Sequence, residues 1–246
     1  MRFVCALPVQ HSTPYDSGCK GRELASIRPG HSSAAFAASR YDAGAPRNEP
    51  TVILILHAHP YPGHSRAGKA LLDAARDVPG VRVHSLYDRY PDFDIDAAAE
   101  QAALSEANLI VWLHPIYWYS VPALLKHWFE KVLVHGWAYG PEGNALKGKH
   151  VLWAPTTGGD ELAYTAQGMH EQPFANFIAP VEETVRYCGM TWEAPFVVHG
   201  AHLISPDTLA ERARAFRQRL LDWRPDGATT AENSIVIPAK TQAQLL

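Results

Sequence analysis

Three short stretches carry side chains and backbone suited to holding a polar, planar ligand. The first is His57-Ala-His-Pro-Tyr-Pro-Gly-His64, followed by Ser65 and a stretch of helical pattern. A helix amino-terminus offers unpaired N–H groups and roughly half a positive charge, which suits a phosphate. Ser65 either caps that helix or donates its hydroxyl to a phosphate oxygen, Arg66 adds charge, and His59 adds a donor. Gly63 is the only glycine of this loop, so it is neither a Walker loop nor a GxGxxG fingerprint. An ordinary strand-to-helix connection is the plain alternative. The second stretch, His114-Pro-Ile-Tyr-Trp-Tyr-Ser-Val-Pro122, sets aromatics directly after an apolar run. A ring system can lie along it with backbone groups bonding its polar edge; alternatively, Trp118 and Tyr119 are core anchors under a neighbouring helix. The third, Thr156-Thr-Gly-Gly159, pairs two glycines. Glycines let backbone approach a ligand closely, and their N–H groups suit the carbonyl edge of a pyrimidine-like ring.

Other chemistries fit less well. The chain has 13 histidines, and His57, His59 and His64 sit together, which invites a metal hydrolase. No Asp or Glu completes the set nearby, and zinc needs three or four ligands, so no metal is expected. The net charge of −3, without a long Lys or Arg run, gives no electrostatic footing for nucleic acid. No apolar run approaches the ~18 residues of a membrane span. The three cysteines, Cys5, Cys19 and Cys188, fit neither a disulfide framework nor a zinc knuckle, so a reducing cytoplasm is the simplest setting. Cys188 reads as a small buried packing residue. The start, Met1 to Pro8, has too short an apolar stretch for a signal peptide.

The elements that must position these loops follow from hydrophobic period. With 47% apolar and 19% charged residues the chain can build a full core. Residues 1–50 show no persistent period and read as a disordered extension or a wrongly chosen start; residues 224–246 read as a flexible tail. The ordered domain is 51–223. Thr51–Leu56, Val81–Leu86, Leu109–Leu113, His150–Ala154 and Thr191–Val198 predict five strands, and the continuously apolar first and third suit burial in a parallel sheet. Between and after them lie helical patterns at 66–77, Asp96–Ala107, Ala123–His135 (opened by Pro122), 177–188, and a last helix capped by Ser205-Pro-Asp207 and running to Trp223. Strand–helix alternation predicts an open, doubly wound α/β sheet in the order 2-1-3-4-5 with helices on both faces. Ligands of such sheets bind outside the carboxyl ends of the strands. The loops after strands 1, 3 and 4 therefore converge on one edge.

The same residues carry a resemblance. His59-Pro60 with Ser65-Arg-Ala-Gly68, Pro115-Ile-Tyr-Trp-Tyr119 and Thr156-Thr-Gly-Gly159 resemble the three flavin-binding loops of the NAD(P)H:quinone oxidoreductases. Tyr90-Pro-Asp-Phe-Asp-Ile-Asp96, Val121-Pro-Ala-Leu-Leu-Lys126 and His135-Gly-Trp-Ala-Tyr-Gly140 are similar too. The likeness spans roughly residues 52–223 and is nearest to the ancillary flavoproteins of bacterial glutathione-regulated potassium-efflux (Kef-type) systems. It implies a flavodoxin-like fold binding FMN, with FAD as the alternative, at the edge of a homodimer. The implied flavin contacts are His59, Ser65, Arg66, Ala67, Gly68, Ile116, Tyr117, Trp118, Tyr119, Thr156, Thr157, Gly158 and Gly159. Tyr164-Thr-Ala-Gln-Gly-Met-His170 resembles a segment of the animal quinone reductases in which a Tyr and a His lie beside the flavin. In that reading Tyr164 and His170 are catalytic and stabilise charge developing on the ring. Trp137 and Tyr139 match a segment that gates the substrate pocket across the dimer.

The implied activity is that of an NAD(P)H dehydrogenase (quinone): ping-pong hydride transfer from NAD(P)H through FMN to a quinone or similar electrophile. The Kef-type relatives keep the 164–170 segment less closely. That leaves open an ancillary subunit that activates a glutathione-gated potassium-efflux antiporter, cytoplasmic and peripheral at the inner face of the membrane.

Overall fold

The computed structural model describes residues 51–225. The expected extension at residues 1–50 and all but the first two residues of the expected tail lie outside the described residues. Five parallel strands, β1 (Ile53–His57), β2 (Val81–Ser85), β3 (Leu109–Pro115), β4 (His150–Thr156) and β5 (Thr191–Trp192), form one sheet in the order β2-β1-β3-β4-β5, as the alternation predicted. The amino ends are in line: Ile53 faces Val81 and Leu109, Leu109 faces His150, and His150 faces Thr191. All the connecting loops that could carry chemistry therefore leave from one edge.

Successive strand residues point to opposite faces, and the core divides accordingly. Leu54, Leu56, Ile110, Trp112 and Trp153 pack with Leu104, Leu124, Trp128 and Val185 on one face. These come from α3 (Ala97–Glu106), α4 (Ala123–Val132) and α5 (Ala179–Tyr187). Ile53, Ile55, Val111, Leu113 and Leu152 pack on the other with Leu71, Phe216 and Leu220, which belong to α1 (Arg66–Ala75) and α6 (Pro206–Asp222). Burying each such large apolar side chain favours folding by about 1.5–3 kcal/mol. Cys188 is buried among them as expected.

Two elements depart from the sequence expectation. Leu86–Arg89 forms a short helix, α2, directly after β2. The fifth strand, expected to reach Val198, is regular over only two residues. Pro195 has no N–H to give the ladder, yet the chain keeps alongside β4: Glu193 N–H bonds Val151 O (2.9 Å), Phe196 N–H bonds Trp153 O (2.8 Å) and Val198 N–H bonds Pro155 O (3.0 Å). Among the described residues no helix is long and apolar enough to cross a membrane.

Candidate active site

The loop after β1 makes one 3-10 turn at Pro62–His64 and hands over to α1 at Ser65. Ser65 occupies the N-cap position but its side chain makes no capping bond, so the capping alternative does not hold. The first bond of the helix is Lys69 N–H to Ser65 O (2.8 Å). Among the described residues, the N–H groups of Arg66, Ala67 and Gly68 find no acceptor, as expected for a first turn. A Cβ on Gly68 would lie 2.4 Å from Ser65 Oγ and 3.3 Å from His57 Nε2, so any larger residue there must displace the Ser65 hydroxyl. His57 is 4% exposed, and its Nε2 is one of two buried side-chain polar atoms without a partner among the described residues. Burial holds His57 neutral, with its pKa pushed down to about 4. His59 Nδ1 accepts from Tyr61 N–H (3.0 Å), so in the neutral ring the proton sits on Nε2 as a donor.

The loop after β3 is tied to the third loop by Ile116 N–H to Thr156 O (2.8 Å). Tyr117 and Ser120 then exchange two backbone bonds of 3.1 Å around a two-residue turn. Its central residues, Trp118 (φ 50) and Tyr119 (φ 63), are both left-handed. That turn geometry normally takes Asn or Gly, and each bulky residue held there costs about 1–3 kcal/mol. Trp118 is 93% exposed, so it is no core anchor. Tyr119 stacks on Phe177 (5.4 Å) and meets His170 edge-on (5.5 Å). Below the loop, His114 is structural. Its Nδ1 donates to Pro115 O (2.9 Å) and its Nε2 accepts from Trp153 Nε1 (2.7 Å), and burial brings its pKa to about 4.

The third loop is held from outside. Thr157 N–H bonds Val198 O (3.0 Å), Ala201 N–H bonds Thr157 O (2.8 Å) and Gly200 N–H bonds Gly159 O (2.8 Å). The Gly158 and Gly159 N–H groups find no acceptor among the described residues. Beside them Tyr164 and His170 lie ring to ring at 4.5 Å, with His170 N–H on Ala163 O (2.9 Å). A Cβ on Gly159 would meet Tyr164 Cε2 at 3.5 Å and His170 Nε2 at 3.6 Å, so the pair adjoins the loop. Burial raises the Tyr164 phenol pKa, keeping it a proton donor at neutral pH.

A shallow cleft opens where the loops meet. Of the residues singled out in the sequence, His59, Ser65, Arg66, Ala67 and Gly68 line it from the first loop. Ile116 and Tyr117 do so from the second, and Thr156, Thr157 and Gly158 from the third. Trp118, Tyr119 and Gly159 fall outside the lining, Tyr119 and Gly159 toward Tyr164 and His170 and Trp118 exposed. Trp137 and Tyr139 are not brought to the cleft of their own chain; they pack against the core on the α4–β4 connection, Tyr139 against Tyr187 (5.0 Å). Sequence reasoning missed Ala201 and His202, which also line the cleft. They follow the fifth strand, whereas only the loops after strands 1, 3 and 4 were expected at this edge.

The lining includes Arg66 and three histidines, His59, His64 and His202, and no carboxylate. It therefore suits an anionic group, and Gly158 adds an open N–H from the third loop. These features fit a phosphorylated ring cofactor: a helix start for phosphate, a glycine whose Cβ would intrude, and an orphaned imidazole nitrogen beside it. Among the described residues no three His, Cys, Asp or Glu side chains come together as metal ligands do.

The family described by the flavodoxin-like fold matches residues 51–222. The glutathione-regulated potassium-efflux system ancillary protein KefF of Enterobacter sp. (strain 638) is 54% identical over 173 residues, 70% of this chain and 97% of the relative. Among solved structures, general stress protein 14 of Treponema denticola, in complex with FMN, is 37% identical with a TM-score of 0.64, covering 69% of this chain and 97% of that one. An NADPH-quinone reductase from P. pentosaceus is 27% identical with a TM-score of 0.63, covering 69% and 98%. Sheet order, matched span and relatives agree: the chain belongs to the flavodoxin-like NAD(P)H quinone reductase family.

Proposed function

We propose that this chain is an FMN-dependent NAD(P)H:quinone oxidoreductase that works as a homodimer. The observation that carries this reading is the meeting, at one cleft lined by Arg66 and no carboxylate, of open donors from two loops: the first turn of α1 with Ser65, and Gly158, with Gly159 next to it just beyond the lining. The FMN complex of the 37% identical Treponema protein supports the choice of cofactor. When bound, FMN accepts hydride from NAD(P)H and passes two electrons to a quinone that enters the same pocket afterwards. The protein supplies orientation and charge. Ser65, Arg66 and the α1 N–H groups hold the phosphate, with His59 Nε2–H as a further donor. Gly158 and Gly159 bond the carbonyl edge of the ring, and Ile116 to Tyr119 wall it. Tyr164 and His170 hold or give a proton where negative charge develops. Trp137 and Tyr139 of a second copy close the pocket.

The test is a visible absorption spectrum followed by NADPH under argon. The reading expects yellow protein with bands near ~370 and ~450 nm that bleach, because the flavin performs the redox step. Mass spectrometry of the released cofactor decides between FMN and FAD. Protein that stays colourless after incubation with either flavin overturns the reading.

The 54% identity across 97% of a KefF protein favours a second role, as an ancillary subunit that docks on a potassium-efflux antiporter at the inner face of the membrane and activates it. Co-purification with antiporter-bearing membranes is expected in that case. Yellow protein that NADPH does not bleach would favour this role.

A further inference from the structure

The segment after β5 runs beside the third loop as a splint, and one side chain completes it. Thr157 Oγ1 lies 2.7 Å from Gly159 O and 3.0 Å from His199 Nδ1. A carbonyl only accepts, so the Thr157 hydroxyl must donate its single proton to Gly159 O. It therefore accepts at its other side, and His199 Nδ1 must carry the proton it receives. The tautomer is fixed by this chain of bonds. Burial lowers the His199 pKa, which keeps the ring neutral. The ring also packs on Tyr164 (5.4 Å) and edge-on to Phe174 (5.1 Å). One imidazole thus touches both the turn that bears the Gly158 and Gly159 N–H donors and the phenol beside it.

We propose that His199 is a positioning residue for the ring end of the cleft: through Thr157 it fixes the Gly158–Gly159 turn so that both N–H groups face a bound flavin's isoalloxazine. A glycine pair is the most mobile backbone the chain can offer, and two donors help binding only if they are held in place beforehand. The three backbone bonds to the 198–201 segment fix the outside of the turn. The His199–Thr157–Gly159 chain adds a side-chain bond across the turn to the carbonyl that Gly200 N–H also holds, bracing the Gly158–Gly159 peptide between its two fixed neighbours. The inference rests on the proposed flavin site. It differs from the phosphate end in its signature, because the ring end is shared by FMN and by riboflavin, which lacks the phosphate.

The test compares dissociation constants of FMN and riboflavin, by flavin fluorescence, for the flavin-stripped full chain and its variants. His199→Phe keeps the ring packing and loses the donor, and is expected to weaken both ligands by about five- to tenfold, the worth of one neutral hydrogen bond. His199→Asn puts an amide N–H at the same bond distance from the backbone as Nδ1 and is expected to restore both to within about twofold. Thr157→Val, of nearly equal volume, is expected to match His199→Phe and decides the matter if that variant does not fold. Equal binding by His199→Phe and the unaltered chain, no rescue by Asn, or a loss confined to FMN overturns the inference while leaving the flavin site standing. Failure of the unaltered chain to bind either flavin overturns both.

Discussion

Two buried polar residues, Glu100 away from the cleft and His57 beside Gly68, differ in how fully their bonds are made. Glu100, fully buried on α3, accepts from His84 Nδ1 (3.0 Å), Tyr90 OH (2.8 Å) and Trp128 Nε1 (3.1 Å), with Arg89 Nε at 3.4 Å. His57, nearly as buried on β1, has an Nε2 that no described group satisfies. The three long helices that start on a Ser or Asp also differ. Asp96 caps α3 through Ala99 N–H (2.9 Å) and Ser205 caps α6 through Thr208 N–H (3.1 Å), whereas Ser65 caps nothing. An unsatisfied buried polar group costs about 1–3 kcal/mol, so a fold tolerates one where another molecule completes it.

The largest expected effect lies on the saturated side. Glu100→Ala strands three donors and is expected to lower stability by about 3–5 kcal/mol in urea unfolding. His57→Leu, which removes an orphan, is expected to cost less than about 1 kcal/mol; equal losses would erase the contrast. Burial alone would raise the Glu100 pKa, but the bonds from His84, Tyr90 and Trp128 outweigh it and hold the carboxyl below its ordinary value of 4.5. A depressed folded pKa gives stability that is full above that ordinary value and lost as pH falls through the folded one. Glu100→Gln should flatten that acid limb of the stability curve.

On the open side, His170→Ala is expected to slow flavin reduction about a hundredfold in stopped flow, within the range of general acid catalysis, without releasing the flavin. An unchanged rate removes His170 from the mechanism. Gly68→Ala is expected to weaken FMN by about 1–2 kcal/mol through the collision with Ser65 Oγ, with riboflavin little changed. A parallel loss for riboflavin would mean that the collision distorts more than the phosphate end. The smallest effects separate the two serines. Ser205→Ala should cost about 1 kcal/mol of stability, and Ser65→Ala only a few tenths, with its loss appearing in FMN titration instead. A stability loss as large for Ser65 as for Ser205 would show that it caps in solution.

Most of the fold was legible because a parallel sheet buried on both faces writes continuous apolar runs, and helices write caps and a 3.6-residue period. Ten of the loop residues that line the cleft were legible too, since strand–helix alternation alone sends those loops to one edge. The aromatics of the second loop were legible as a cluster but not as a left-handed turn, because nothing in Trp118-Tyr119 favours that backbone by itself.

The sequence by itself thus determined the strand and helix segments, their order, and three of the four segments around the cleft, all through local pattern. The tertiary structure decided what depends on residues far apart in the chain. It brought Val198 to His202 beside Thr156 to Gly159, gave Thr157 a histidine 42 positions away, and gathered donors from β2, α2 and α4 on Glu100. Such pairings leave no periodicity to read. A donor is ordinary in its own segment, and it becomes specific only when packing removes water and leaves it one acceptor.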